Sequence, residues 1–292
     1  MGKTSAQANV KRVAKLAISS VHYLTTSLAR LGLKLMRRSP GHDFVVLYYH
    51  GVPREYRANF ARQMDLIRRW AQVIPAWHRG SLPEGRQHVA ITFDDAYVSV
   101  AENALPELLS RGFHATIFVP AGSLGHPPKW AIEDDSLDAD ETVMSAEQIS
   151  ALPSSLVTVG SHTKTHPHLS RIDATAAQEE IEGSRAMLEA LTAQEIRLLA
   201  FPYGDHDAST VELCKAAGYN FVFSVVPNSI DPAASCFVRG RVKADPFDWP
   251  LEFFLKFHGA YAWIPLVSSL KYRIRDWRRA RQVRRPSYGH QG

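Results

Sequence analysis

Seven short apolar runs, rich in β-branched and aromatic residues and separated by helical stretches, leave this chain few folds to choose from. The runs are 44–49, 88–93, 114–119, 156–160, 196–201, 219–225 and 236–242. Helical stretches fall between them near 58–72, 99–111, 145–151, 173–192 and 208–217. Ser145 with Gln148 reads as a capping box, Asp173 as an N-cap, and Gly112 and Gly218 stand where helices should stop. Strand and helix in alternation predict an α/β fold with a mainly parallel sheet, open or closed into a barrel. No period of 20–50 residues is present, which excludes a solenoid. Segment 120–142 breaks the rhythm: it is rich in Gly, Pro and acid, so it reads as a long loop. Such a loop after a strand could wall a cleft, with Trp130 its only large aromatic.

Charge divides the 292 residues into three parts. Residues 1–40 carry eight Lys/Arg and no acid, and residues 271–292 carry eight with one acid, Asp276. The ends therefore hold +8 and +7, so a chain of net +5 leaves −10 for residues 41–270. An acidic body argues against nucleic acid in a central cleft. Between Lys11 and Met36, Val13, Leu16, Ala17, Val21, Leu24, Leu28, Leu31 and Leu35 recur at mostly three- and four-residue steps. That pattern predicts an amphipathic helix with one apolar stripe and a basic opposite side. Ser19, Ser20, His22 and Thr25 interrupt it, which disfavours a signal peptide, and no apolar run reaches 18 residues. Trp263 to Trp277 leads into a second basic run. The expected organisation is a basic extension over 1–40, an α/β body over 41–260 and a basic extension over 261–292. The ends would meet an anionic membrane surface or pack on the body, giving a cytoplasmic protein peripheral to the membrane.

Four predicted strands end in unusual polar residues, and parallel strands would bring those ends to one mouth. Strand 44–49 runs into His50 and strand 88–93 into Asp94-Asp95. Strand 156–160 is followed by Ser161-His162-Thr163-Lys164-Thr165-His166-Pro167-His168, and strand 196–201 by Pro202-Tyr203-Gly204. Adjacent carboxylates repel unless they share a cation or proton, so one could ligate a metal while its neighbour takes a proton from water. His162 and His166 are four apart, but Pro167 disfavours helix there, so a turn folded around an ion is expected. Two imidazoles and one carboxylate suit Zn2+, with Co2+, Ni2+, Fe2+ or Mn2+ able to use the same set. The two cysteines, Cys214 and Cys236, are too few for a disulfide framework or a Cys-rich zinc site.

The three motifs Thr92-Phe93-Asp94-Asp95, His162-Thr163-Lys164-Thr165-His166-Pro167 and Phe201-Pro202-Tyr203-Gly204 resemble those of the polysaccharide deacetylase family with its NodB-homology domain. The resemblance covers about residues 43–240. It implies a distorted (β/α) barrel of about seven strands and metal-dependent removal of N- or O-linked acyl groups from sugars. It makes Asp94 the general base, Asp95, His162 and His166 the metal ligands, and Tyr203 a holder of the oxyanion. Leu47 to Val52 is similar to the branch acting on poly-N-acetylglucosamine exopolysaccharides, which points to His50 as general acid, with His258 a weaker candidate. Two departures stand out: Ala96 replaces a glycine after the Asp pair, and no arginine precedes Phe201 as cationic partner of the base. Substrates implied are an N-acetylated glycan or, alternatively, a lipid-linked sugar; a catalytically silent scaffold is the rival outside enzymology. The absence of G-x-S-x-G, P-loop, G-x-G-x-x-G and H-E-x-x-H patterns disfavours other enzyme classes.

Overall fold

The computed structural model describes residues 2–36, 44–82, 86–130, 138–232, 236–265 and 267. The predicted C-terminal basic run lies outside the described residues. A long helix, α1 (Gly2–Leu35), precedes β1 (Phe44–Tyr49), α2 (Arg57–Trp70), β2 (Ala71–Val73) and β3 (Gln87–Phe93). A π-turn over Val100–Ala104 runs into α3 (Leu105–Leu109), followed by β4 (Ala115–Val119), α4 (Ala146–Ser150), β5 (Val157–Ser161) and α5 (Ala174–Thr192). The chain continues through β6 (Leu198–Ala200), α6 (Ala208–Ala216), β7 (Phe221–Phe223), β8 (Val238–Arg239), β9 (Val242–Lys243) and α7 (Pro250–Phe257). The caps fall as the residue chemistry requires: Ser145 and Gln148 form the capping box of α4, and Asp173 accepts from the Ala176 N–H at the start of α5.

The strand order is β8-β7-β6-β5-β4-β3-β1-β9, all pairs parallel, with β2 beside β3. β8 and β9 stand at opposite ends of that order, yet only Gly240 and Arg241 separate them in the chain. The sheet must therefore curl until its two edges face each other, which makes the distorted barrel. The single predicted strand 236–242 is split by this seam. β2 escaped the sequence reading because its three residues continue directly from α2.

Register aligns the carboxyl ends. Tyr49 pairs with Phe93, Phe93 with Ile117, Val119 with Ser161, and Ala200 with Phe223. The residues that follow are thereby delivered to one rim. Both sheet faces are covered, which is why the strands read as continuous apolar runs. Phe44, Val46, Ala90, Phe118, Leu198 and Phe223 fill the barrel, while Val45, Leu47 and Tyr49 join the outer core with Phe60, Met64 and Ile67 of α2. Gly160 leaves room for this filling: a Cβ there would lie 2.6 Å from the Phe118 ring and 3.2 Å from the Leu198 carbonyl. Gly160→Ala should therefore destabilise by about 1–3 kcal/mol through overpacking. Urea unfolding would show this as a lower midpoint at constant m; an unchanged midpoint would mean the interior has spare room.

Candidate active site

The rim of the barrel brings Asp95, His162 and His166 together, and all three are buried. Asp95 Oδ1 lies 3.6 Å from His162 Nε2 and 3.4 Å from His166 Nε2. These separations are too long for hydrogen bonds, and burial pushes the imidazoles down to about 4 and about 2, so they stay neutral. Asp95 moves the other way: burial, then the charges of Asp94 and Asp138, raise its carboxyl well above the usual range.

Asp95 Oδ1 and His166 Nδ1 have no hydrogen-bond partner. His162 Nδ1 donates to the Ala200 carbonyl at 2.8 Å, which leaves the lone pair on Nε2, facing Asp95. Tetrahedral zinc with bonds of about 2.0–2.1 Å separates its ligand atoms by about 3.3 Å. The two separations from Asp95, the tautomer of His162 and the unpartnered Asp95 Oδ1 therefore fit a divalent cation.

Local sequence shapes the ligand loop. Ser161 Oγ accepts from the Thr163 N–H and Thr163 Oγ1 from the His166 N–H. Glu180 of α5 accepts from the Lys164 and Thr165 N–H groups at 2.8 Å each, clamping the loop to the helix layer. Among the described residues, six non-glycine residues have positive φ, and five of them are Asp95, Ala96, Thr163, His166 and Tyr203. Such backbone costs about 1–3 kcal/mol per residue and gathers at functional sites. Ala96, at φ 49°, shows why a glycine suits that position.

Asp94 faces the opposite environment. Arg241 grips it bidentately, Nη1 to Oδ1 at 2.6 Å and Nη2 to Oδ2 at 2.8 Å. Arg241 is fully buried; it also donates to Thr92 Oγ1 and the Ser224 carbonyl and lies over the Tyr48 ring. Burial opposes ionisation of Asp94, but Arg241 and then His162 outweigh it and hold the carboxyl at about 2. Arg241 thus supplies the cation missing before Phe201. Sequence reasoning passed over it inside the run 236–242, although two arginines alternating in a strand bounded by apolar residues were a visible signal.

His50 follows β1 at the same rim, edge-on to Tyr48, and its charge bears on Asp94, His162 and His166. Tyr203 sits in the turn Pro202–Gly204 with its ring stacked on His168 at 4.0 Å and edge-on to His166 at 4.7 Å. Trp130, from the long loop, stacks on His166 at 4.3 Å. The same loop returns to cover the rim: Val98 donates to the Thr142 carbonyl, and Gly51 N–H to Asp138. A Cβ on Gly51 would meet Glu141 at 2.7 Å, so glycine permits this closure.

Two further aromatic residues have defined partners. Tyr97 is buried, hydrogen-bonded to Asp95, and so orients the Asp95 carboxylate. Trp249 lies under the Arg12 guanidinium of α1. His258, the weaker candidate acid, caps α7 and packs against Tyr23 of α1, on the outside of the barrel.

The sequence profile of the polysaccharide deacetylase family matches residues 81–222. YxkH of Bacillus subtilis strain 168, described under the same family, is 24% identical over 158 residues, 54% of this chain and 52% of that protein. The match thus spans about half the length of YxkH. Among solved structures, Streptococcus pyogenes deacetylase PplD in complex with acetate aligns with a TM-score of 0.62 at 18% identity, over 75% of this chain and 99% of PplD. IcaB of Ammonifex degensii aligns at 0.61 and 27% identity, over 76% of this chain and 97% of IcaB. BC0361, a polysaccharide deacetylase from Bacillus cereus, gives 0.60 at 21%, over 76% and 69%.

Two measurements check the geometry. Elemental analysis of protein purified without an affinity-tag metal should find about one divalent ion per chain, lost in His162→Ala and kept in Asp94→Asn. Arg241→Met should cost about 3–5 kcal/mol by stranding a buried carboxylate, and adding Asp94→Asn should recover part of that loss. A double variant that loses the sum of the losses of Arg241→Met and Asp94→Asn measured singly would show that the pair is uncoupled.

Proposed function

We propose that this chain, whose residues 81–222 match the polysaccharide deacetylase family, hydrolyses the acetamide of an N-acetylated amino sugar in a glycan. One observation carries the reading: two buried imidazoles and a carboxylate oxygen without a hydrogen-bond partner converge beside a carboxylate kept ionised by a buried arginine. Asp95, His162 and His166 would hold a divalent cation. Such a cation supplies Lewis acidity, polarising an acyl carbonyl and lowering the pKa of water from about 15.7 to about 7.

The chain's own residues do the rest. Asp94 is the general base that takes a proton from the water adding to the acyl carbon, and Arg241 keeps that base ionised and oriented. Tyr97 fixes the Asp95 carboxylate. Tyr203, held in a strained turn, offers its backbone N–H to the developing oxyanion. His50 returns a proton to the amine nitrogen as the C–N bond breaks, releasing acetate and a free amino sugar. Trp130 and Tyr203 pack against His166 and hold its ring in place.

A second reading, a lipid-linked sugar met at a membrane, is favoured by the apolar side chains exposed along α1. Acetate release from soluble oligosaccharides and from short lipid-linked substrates separates the two. In either case Asp94→Asn should lower kcat by about a thousandfold or more while the metal stays bound, and His50→Ala by about 10²–10⁴-fold. Full turnover by purified Asp94→Asn would refute the assignment of the base.

A further inference from the structure

We infer that α1 is an in-plane membrane anchor that grips the barrel with one face and an anionic bilayer with the opposite one. The inference rests on the fold and does not require the deacetylase reading. The inner face is tied down specifically. Arg12 Nε donates to Glu252 at 2.7 Å and its guanidinium covers Trp249, Trp263 Nε1 donates to the buried Ser19 at 2.9 Å, and Tyr23 packs edge-on to Phe254. With Arg12, Ser19 and Tyr23 turned inward, the helical repeat turns the apolar stripe outward. Val13, Val21, Leu24, Leu28, Leu31 and Leu35 are each more than half exposed. From Val13 to Leu35 the row is about 33 Å long at 1.5 Å per residue.

Charge selects the occupant. Residues 1–40 hold eight Lys/Arg and no acid; Arg12 is taken up by Glu252, and Lys11 and Lys15 stand exposed on the flank of the helix that also carries the exposed Ile18. A second copy of α1 would bring the same cations with no carboxylate to pair them, whereas coiled coils rely on such flanking pairs. An anionic lipid surface supplies both the apolar layer and the missing negative charge. No described helix is long and apolar enough to cross a membrane, so the helix lies in the interface.

This docking also orients the site. α7 starts just past the carboxyl end of β9, and α1 runs beside it in the same direction, Arg12 meeting Glu252 and Tyr23 meeting His258. The exposed row therefore runs down the flank of the barrel from the rim side. A bilayer on that flank leaves the mouth opening along the lipid surface.

Flotation of the full chain tests this with vesicles of phosphatidylcholine alone and of phosphatidylcholine mixed with phosphatidylglycerol. The wild type should float with the anionic vesicles and lose binding at high salt. Leu24→Glu/Leu28→Glu should weaken binding by about tenfold or more, and Lys11→Glu/Lys15→Glu should weaken it on anionic vesicles. Met187→Glu, at an exposed apolar position of α5, should float like wild type. Asp95→Asn should also float normally, so loss of catalysis and loss of docking remain separate results. Wild-type flotation by Leu24→Glu/Leu28→Glu, with helix content unchanged by circular dichroism, would overturn the inference, as would no flotation with either vesicle. A dimer in solution abolished by that same double variant would give the face to a second copy instead.

Discussion

The bidentate contact between Arg241 and Asp94 joins the seam of the barrel to its centre. Arg241 sits in the two-residue link between β8 and β9, where the curled sheet meets itself, and Asp94 ends the central strand β3. Burying two charges costs several kcal/mol per ion unless geometry and further hydrogen bonds offset it. Here both carboxylate oxygens are engaged, and two further guanidinium donors reach Thr92 and the Ser224 carbonyl. The Tyr48, Phe118 and Phe223 rings surround the guanidinium, so the interaction lies in a low-dielectric interior where it is strong. A slip of the seam would leave both charges unpaired, and so the pair specifies barrel closure as well as the state of the carboxylate.

That pairing divides labour between neighbouring aspartates. Asp94 and Asp95 are both buried, yet one is held well below the usual carboxylate range and the other is driven above it. The difference is positional: a guanidinium faces Asp94, while Asp95 faces two neutral imidazoles and a tyrosine hydroxyl. A cation among those imidazoles reverses the logic at Asp95, because a bound divalent ion is the largest local charge. The positive φ at Asp95 and Ala96 turns the two consecutive side chains toward these separate surroundings, and the strain is the cost of that divergence.

The strands, the caps and the ligand loop were legible in the sequence because each is encoded within a few residues. Runs such as 44–49 announce strands, Ser145 with Gln148 announces a helix start, and Pro167 denies helix to His166. What was not legible depends on closure. Arg241 meets Asp94 across 147 positions, and only a curled sheet makes them neighbours. Tyr97 belongs to the same class: it lies two residues from Asp95, but a left-handed turn between them is needed to bring its hydroxyl back to the carboxylate. The placement of Trp249 and His258 depended on where α1 docks, which no local pattern states.

The long helix shows how periodicity can locate an apolar stripe without saying what covers it. Burying a Val or Leu side chain stabilises by roughly 1.5–3 kcal/mol, so a helix free to rotate would turn its Leu row toward the barrel. Instead α1 presents Arg12, Ser19 and Tyr23 inward, and α7 offers Glu252, Phe254 and His258 to receive them, with Trp263 beyond its end reaching Ser19. Of the predicted stripe, Leu16 alone packs against the core. A polar and aromatic inner contact fixes the rotation of the helix at the expense of a large apolar area left to solvent. That arrangement is favourable only when a second surface takes up the apolar row, and a surface rich in negative charge is the one the acid-free segment is built to meet.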